Sequence, residues 1–218
     1  MSETKNKRRV YKGENLNVSY DIKLCMHAAE CVKSGLKNVF DTEKRPWINP
    51  DGSSPERVID VVERCPSGAL AYDYGVIQEV AETNSVRPQP NSALYLRGNI
   101  RLENHDESVI TEQKRLALCR CGQSSNKPFC DYSHHKITFE DNGDLGEAQL
   151  GDGPINTEAK LTVTTLENGP LRLAGAFVLR SADNSDLRYG DNASLCRCGA
   201  SSNKPFCDGT HTKIGFKA

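Results

Sequence analysis

No stretch of this chain approaches the roughly 18 consecutive apolar residues that a membrane span needs, so the sequence predicts a soluble protein with no membrane partner. Neither sign of charge dominates: 28 Lys and Arg stand against 29 Asp and Glu, a formal net charge of −1. There is thus no broad basic field for nucleic acid or anionic lipid. The one basic run, Lys5-Asn6-Lys7-Arg8-Arg9, reads as a solvated tail, and no apolar core follows it as it would in an export signal. The expected compartment is the cytoplasm. Aromatic residues are only 6% of the 218 and include a single tryptophan, so the cores must be small. No Gly-rich nucleotide loop follows a strand, no nucleophile elbow occurs, and no carboxylates pair at a telling spacing. Nothing reads as an enzyme's catalytic centre.

What the chain does have is cysteine. Nine is an odd number, which rules out a complete disulfide framework, and metal explains the residues better. They fall into three sets of three: Cys25, Cys31 and Cys65; Cys119, Cys121 and Cys130; Cys196, Cys198 and Cys207.

Sliding the chain against itself by 77 residues aligns Leu118 to Asp131 with Leu195 to Asp208, and 13 of the 14 positions are identical. The match runs upstream through Leu94, Leu96, Gly98 and Leu102, paired with Leu171, Leu173, Gly175 and Leu179. Downstream it pairs Lys136, Ile137 and Phe139 with Lys213, Ile214 and Phe216. Leu94-Tyr95-Leu96, Leu161-Thr162-Val163-Thr164 and Leu171-Arg172-Leu173 alternate apolar with polar residues, which predicts short, half-buried strands before each motif. Gly98 and Gly175 occupy one place in those strands, where a bulge or tight bend requires a residue without Cβ. Between the copies, Asp141 to Pro154 holds five Gly or Pro residues and several acids, the composition of a surface connection.

Each copy reads C-x-C-x₂-S-x₃-P-x-C-D-x₂-H. The candidate ligands are Cys119, Cys121, Cys130 and His134, then Cys196, Cys198, Cys207 and His211. Three thiolates and an imidazole suit a tetrahedral zinc site, and spacing alone does not separate that from iron. Two features favour two adjacent irons. The first pair is parted by one residue where zinc knuckles have two to four, and the Cys-x₃-His pair falls on a short helical turn. Asp131 and Asp208 stand where they cap that turn. His135 rivals His134, but the repeat selects His134, because Cys207 to His211 has the same spacing, and leaves His135 as a surface residue.

The motif resembles the CDGSH iron–sulfur family. The second copy carries Cys207-Asp208-Gly209-Thr210-His211, with Ser201 and Pro205 in the family's places, and the resemblance spans residues 90–140 and 160–218. It implies one [2Fe–2S] cluster per copy, held by three Cys and one His, in a tandem, pseudo-twofold arrangement. The first copy departs from the pattern: Tyr132 replaces the glycine. In a helix that change would cost little. The histidine gives such a cluster its character. Protonation of the imidazole offsets the charge of an added electron and breaks an Fe–N bond, which makes the cluster acid-labile and transferable.

The N-terminal cysteines follow C-x₅-C…C-P, the spacing of a bacterial ferredoxin site in which Ala28 replaces the middle cysteine and Gly35 stands where a second cluster's ligand would be. One cluster is the maximum. Three thiolates suit a [3Fe–4S] cluster; the alternative is [4Fe–4S] with a non-Cys ligand such as His27. Ser53-x-x-Glu56 is a capping-box pattern, Pro55 fits a first turn, and Val58, Val61 and Val62 form the apolar stripe of a helix that delivers Cys65 before Pro66 ends it. With Cys-Pro-Ser-Gly-Ala-Leu behind it, residues 10–75 resemble the divergent mono-cluster ferredoxin domain and the three-iron ferredoxins. Trp47, between Pro46 and Ile48, reads as a core anchor.

The expected class is α+β. A ferredoxin-like α+β domain covers residues 10–76, and CDGSH-like repeats follow at 90–140 and 160–218, with short β-strands and a helical turn at each cluster. The expected role is electron transfer to a redox partner protein; cluster donation to an apo-acceptor, or redox and pH sensing, is the alternative.

Overall fold

The structure, a computed structural model, describes residues 8–74, 77–78, 83–147, 150 and 159–218. The run Lys5 to Lys7, and residues 148–149 and 151–154 of the predicted connection, lie outside them. The chain forms two compact units, Met1–Val80 and Ala81–Ala218. Strands dominate and helices are few. Among the described residues no helix is long and apolar enough to cross a membrane.

In the first unit, β1 (Arg9–Tyr11), β2 (Asn17–Tyr20), β3 (Leu70–Tyr74) and β4 (Ile77–Gln78) form an antiparallel sheet in that order. Helix α1 (Pro55–Arg64) packs on it through Val58, Val61 and Val62, all at most 2% exposed. Burying each valine contributes about 1.5–3 kcal/mol. The helix starts one residue later than the capping-box pattern implies: its cap is Ser54, and no side chain caps it. Pro55 holds the preceding residue extended, so Ser54 takes the cap position and Glu56 falls too early to reach back. Trp47 is the aromatic centre of this core. Its ring stands edge-on to Tyr20 at 5.0 Å and to Tyr11 at 6.4 Å, and tilted to Phe40.

The second unit is a six-stranded sheet of β5 (Ser85–Pro88), β6 (Leu94–Asn104), β7 (Val109–Leu118), β8 (Leu161–Thr165), β9 (Leu171–Arg180) and β10 (Leu187–Leu195). Strands β6, β7, β9 and β10 are long, not short as the local pattern suggested. The alternation in β6 persists to Ile100 and Leu102, both buried, because the strand changes partner halfway. Its first half pairs with β5 of its own repeat and its second half runs parallel to β8 of the other repeat. Strand β9 mirrors this, pairing with β8 and then in parallel with β5. The two repeats therefore share their first strands. The changeovers fall at Gly98 and Gly175, where the pairing with β7 and β10 also loses register. A Cβ on Gly98 would lie 2.7 Å from the Asn84 Cα, and one on Gly175 would lie 2.7 Å from the Lys160 carbonyl oxygen. The glycines bend the strands as the sequence predicts, and the cause is the incoming strand's backbone.

Candidate metal centres

Strands β7 and β10 end at Leu118 and Leu195, and each runs directly into its C-x-C pair. The chain then loops out and returns antiparallel. Cys119 N–H donates to the Pro128 carbonyl at 2.8 Å and Cys130 N–H to the Ala117 carbonyl at 2.9 Å; Cys196 to Pro205 and Cys207 to Ser194 repeat the pattern at 2.8 Å each. The Ser124 hydroxyl donates to the Phe129 carbonyl and accepts from the Asn126 N–H, as Ser201 does with Phe206 and Asn203. This loop carries Cys130 and Cys207 back beside the C-x-C pairs.

Within each motif the four candidate donors form two pairs. Cys119 Sγ and Cys121 Sγ are 3.8 Å apart, and Cys196 and Cys198 3.7 Å. Cys130 Sγ lies 3.4 Å from His134 Nδ1 and Cys207 Sγ 3.3 Å from His211 Nδ1. Two thiolates on one tetrahedral metal with bonds of about 2.3 Å stand roughly 3.8 Å apart. The separations thus fit one metal shared by each Cys pair and another by each Cys–His pair. A [2Fe–2S] cluster divides its ligands in this way. Among the described residues no three such side chains gather about one point suited to a single ion.

The thiols differ in how readily they ionise. Cys119 is lowered to about 6 by the thiol of Cys121 and by backbone N–H groups of Ser124 and Gly122, against its burial. Burial pushes Cys130 up to about 11 and also raises Cys198 and Cys207. A raised thiol ionises only when a cation takes the proton's place. Burial, His135 and Arg120 together lower His134, which keeps the imidazole neutral and able to donate.

The turn that holds each histidine is short: Ser133–Lys136, a 3₁₀ turn, and α2 (Thr210–Lys213). Asp131 and Asp208 sit one residue before the cap position. One carboxylate oxygen of each accepts the N–H of Ser133 or Thr210 at 3.0 Å, and the other binds Ser125 or Ser202 in the preceding loop. These bonds hold both carboxyls below the usual range, for Asp131 against its burial. The cap position is left-handed in both copies, at φ 72° for Tyr132 and 83° for Gly209. Tyr132 is therefore not inside a helix, where it would have cost little. It occupies a conformation that disfavours any side chain, and its ring stacks on His135 at 3.6 Å and stands edge-on to His134 at 5.1 Å.

The two motifs meet back to back. A Cβ on Gly122 would lie 2.5 Å from the Cys198 carbonyl oxygen, and one on Gly199 2.8 Å from that of Cys121. Each motif also carries a buried arginine that composition and spacing did not single out. Arg120 donates to the carbonyls of Ser92 and Gln89, and Arg197 donates to those of Gly169 and Leu166 at 2.9 and 2.6 Å. Each guanidinium also covers a ring, Phe139 or Phe216. Burial lowers both guanidiniums, against Asp141, Cys196 and Cys121 for Arg120 and against Cys119 for Arg197. The copies part company at one point. Arg120 pairs with Asp141 at 2.7 Å, both nearly fully buried, whereas the residue 77 positions on is Ala218. Asp141 is thus a buried partner of the site and not part of a surface connection.

In the first unit, Cys65 sits at the C-terminal cap of α1, Cys25 follows a 3₁₀ turn (Ile22–Leu24), and Cys31 lies in the loop between. All three line one pocket with Tyr20, His27 and Ala28. Burial, with Cys65 and Cys25 nearby, pushes Cys31 up to about 11. Burial, and then the neighbouring Cys25, push the Tyr20 hydroxyl up, an effect the sequence did not signal. His27 is exposed. Beside this pocket is a cavity of about 570 Å³ walled by Tyr20 and Trp47, with Arg9 and Arg45 among its lining. All nine cysteines are free.

Comparison with known proteins agrees with this division. The family described as divergent 4Fe–4S mono-cluster matches residues 11–74, and the iron-binding zinc finger CDGSH type matches twice, at residues 91–135 and 168–212. The uncharacterized protein YjdI of Escherichia coli, in strain K12 and in O157:H7, is 39% identical over 64 residues, which span 29% of this chain and 83% of the relative. No solved structure matches. The chain therefore belongs to the iron–sulfur-binding proteins, with a divergent 4Fe–4S mono-cluster domain followed by two CDGSH-type domains in tandem.

Proposed function

We propose that the protein is a non-catalytic electron carrier of the cytoplasm. Cys119, Cys121, Cys130 and His134 would hold one [2Fe–2S] cluster and Cys196, Cys198, Cys207 and His211 another, with a three-thiolate cluster at Cys25, Cys31 and Cys65. The observation that carries this reading is the back-to-back contact of the two Cys₃His motifs at Gly122 and Gly199. Two clusters so held would lie in one packed unit, where the buried Arg120 and Arg197 would favour added negative charge. The clusters supply the redox chemistry; the chain's residues hold them, exclude water and set the local charge. The N-terminal site lacks a thiol at Ala28, which favours a [3Fe–4S] cluster over the [4Fe–4S] cluster of the family's description. The partner would be a redox protein.

The test is an anaerobic iron, sulfide and zinc count with electron paramagnetic resonance before and after reduction. Seven irons per chain, an oxidised three-iron signal and reversible reduction are expected. Eight irons would assign four to the N-terminal site. A colourless, zinc-loaded protein would sink the reading. A second reading, donation of a cluster to an apo-acceptor protein, is favoured by one observation: His211 is only half-buried.

A further inference from the structure

We propose that the two Cys₃His sites have diverged into a retained one at His134 and an exchangeable one at His211, with Ser92 the positioning residue that separates them. This rests on the reading that both motifs hold [2Fe–2S] clusters.

Ser92 and Gly169 occupy one place in the two copies, because Arg120 Nε donates to the Ser92 carbonyl at 2.8 Å and Arg197 Nε to the Gly169 carbonyl at 2.9 Å. The side chains differ. Ser92 Oγ lies 3.1 Å from His134 Nε2, the nitrogen turned away from Cys130. With the Nδ1 lone pair committed to a metal, Nε2 carries the proton and donates it to the serine oxygen. That bond fixes both tautomer and ring orientation. Gly169 offers His211 nothing of the kind.

Two further differences surround the same ring. Tyr132 and His135 form an aromatic lid over His134, and the matching residues at the second site are Gly209 and Thr212. The outcome is a difference in exposure at three of the four donors, Cys119 and Cys196 being buried alike. His134 is 3% exposed and Cys119, Cys121 and Cys130 are buried, whereas His211, Cys198 and Cys207 are half-buried among the described residues.

A cluster leaves by ligand exchange: thiolates of the acceptor replace the protein's ligands one by one, and no electron moves. A detached His134 ring stays aligned by Ser92 and the lid, and it rebinds. A detached His211 opens its iron to an incoming thiolate. The exchanging partner is thus a protein with free cysteine thiolates, approaching at His211.

The test uses the anaerobically reconstituted full-length protein at one fixed pH, with an apo plant-type ferredoxin as acceptor. Transfer is expected in two phases of equal amplitude that differ by about tenfold or more in rate, the scale of a lost outer hydrogen bond at a metal ligand. Ser92→Ala should speed the slow phase, Ser92→Thr should preserve it, and Gly169→Ser should slow the fast one. Pulsed electron paramagnetic resonance of the reduced protein should also show a changed histidine nitrogen coupling in Ser92→Ala, which general loosening would not produce. If Ser92→Ala does not reconstitute, an unchanged fast phase in Gly169→Ser overturns the inference. Two clusters that leave at one rate overturn it while sparing the proposed function. A protein that takes up no [2Fe–2S] cluster overturns both.

Discussion

Tyr132 shows how a single residue departs from a repeat and why the departure persists. A side chain at φ 72° costs about 1–2 kcal/mol relative to glycine, and a stacked aromatic pair returns roughly 0.5–1.5 kcal/mol. The ring contacts with His135 and His134 thus offset most of the backbone cost and shield the histidine. Asp141 shows a charge difference of the same kind. Its carboxylate neutralises the buried Arg120 guanidinium, and Asp141→Asn should destabilise the second unit by about 3–5 kcal/mol because an unpaired cation would be left behind. A denaturant midpoint for that unit equal to the parent's would refute this. Arg197 has no acidic side chain paired with it among the described residues, and its burial lowers it against the pull of Cys119. At this scale the cysteines and histidines were legible, since a repeat of 77 residues selects His134 over His135. Ser92, Tyr20 and the two arginines were not: what a side chain reaches across the fold has no fixed spacing.

Between elements, the decisive contacts are backbone on backbone. The alternation of apolar residues announced β6 and β9, and Gly98 and Gly175 announced their bends. Nothing local said that β5 and β8 would each serve both repeats, because those pairings join segments far apart in the chain. The same holds where the motifs touch. Gly122→Ala would drive a Cβ to within 2.5 Å of the Cys198 carbonyl oxygen at φ 79°, so the backbones must separate. The expected result is loss of stability in the second unit and altered reduction potentials at both Cys₃His sites, not only at the mutated copy. Voltammetry that finds the second site unmoved would show that the contact does not couple them.

Over the whole molecule the chain divides into two units, each with its own core and its own sulfur-rich site. Expressed separately, residues 1–80 should retain about three irons and residues 81–218 about four, checked by iron and sulfide analysis of each piece. A fragment that folds by circular dichroism but takes up no iron would mean that its site needs the other unit. The sequence by itself determined which residues can ligate metal, in what groups, and that two of the groups are copies, because ligand chemistry and spacing are local properties of the chain. The sequence also showed one inequality, Tyr132 against Gly209; only the tertiary structure decided how far the surroundings of the two copies differ. Water access, charge compensation and the outer hydrogen bond at His134 come from Asp141 and Ser92, the latter 42 residues away, and such neighbours exist only after the chain has folded.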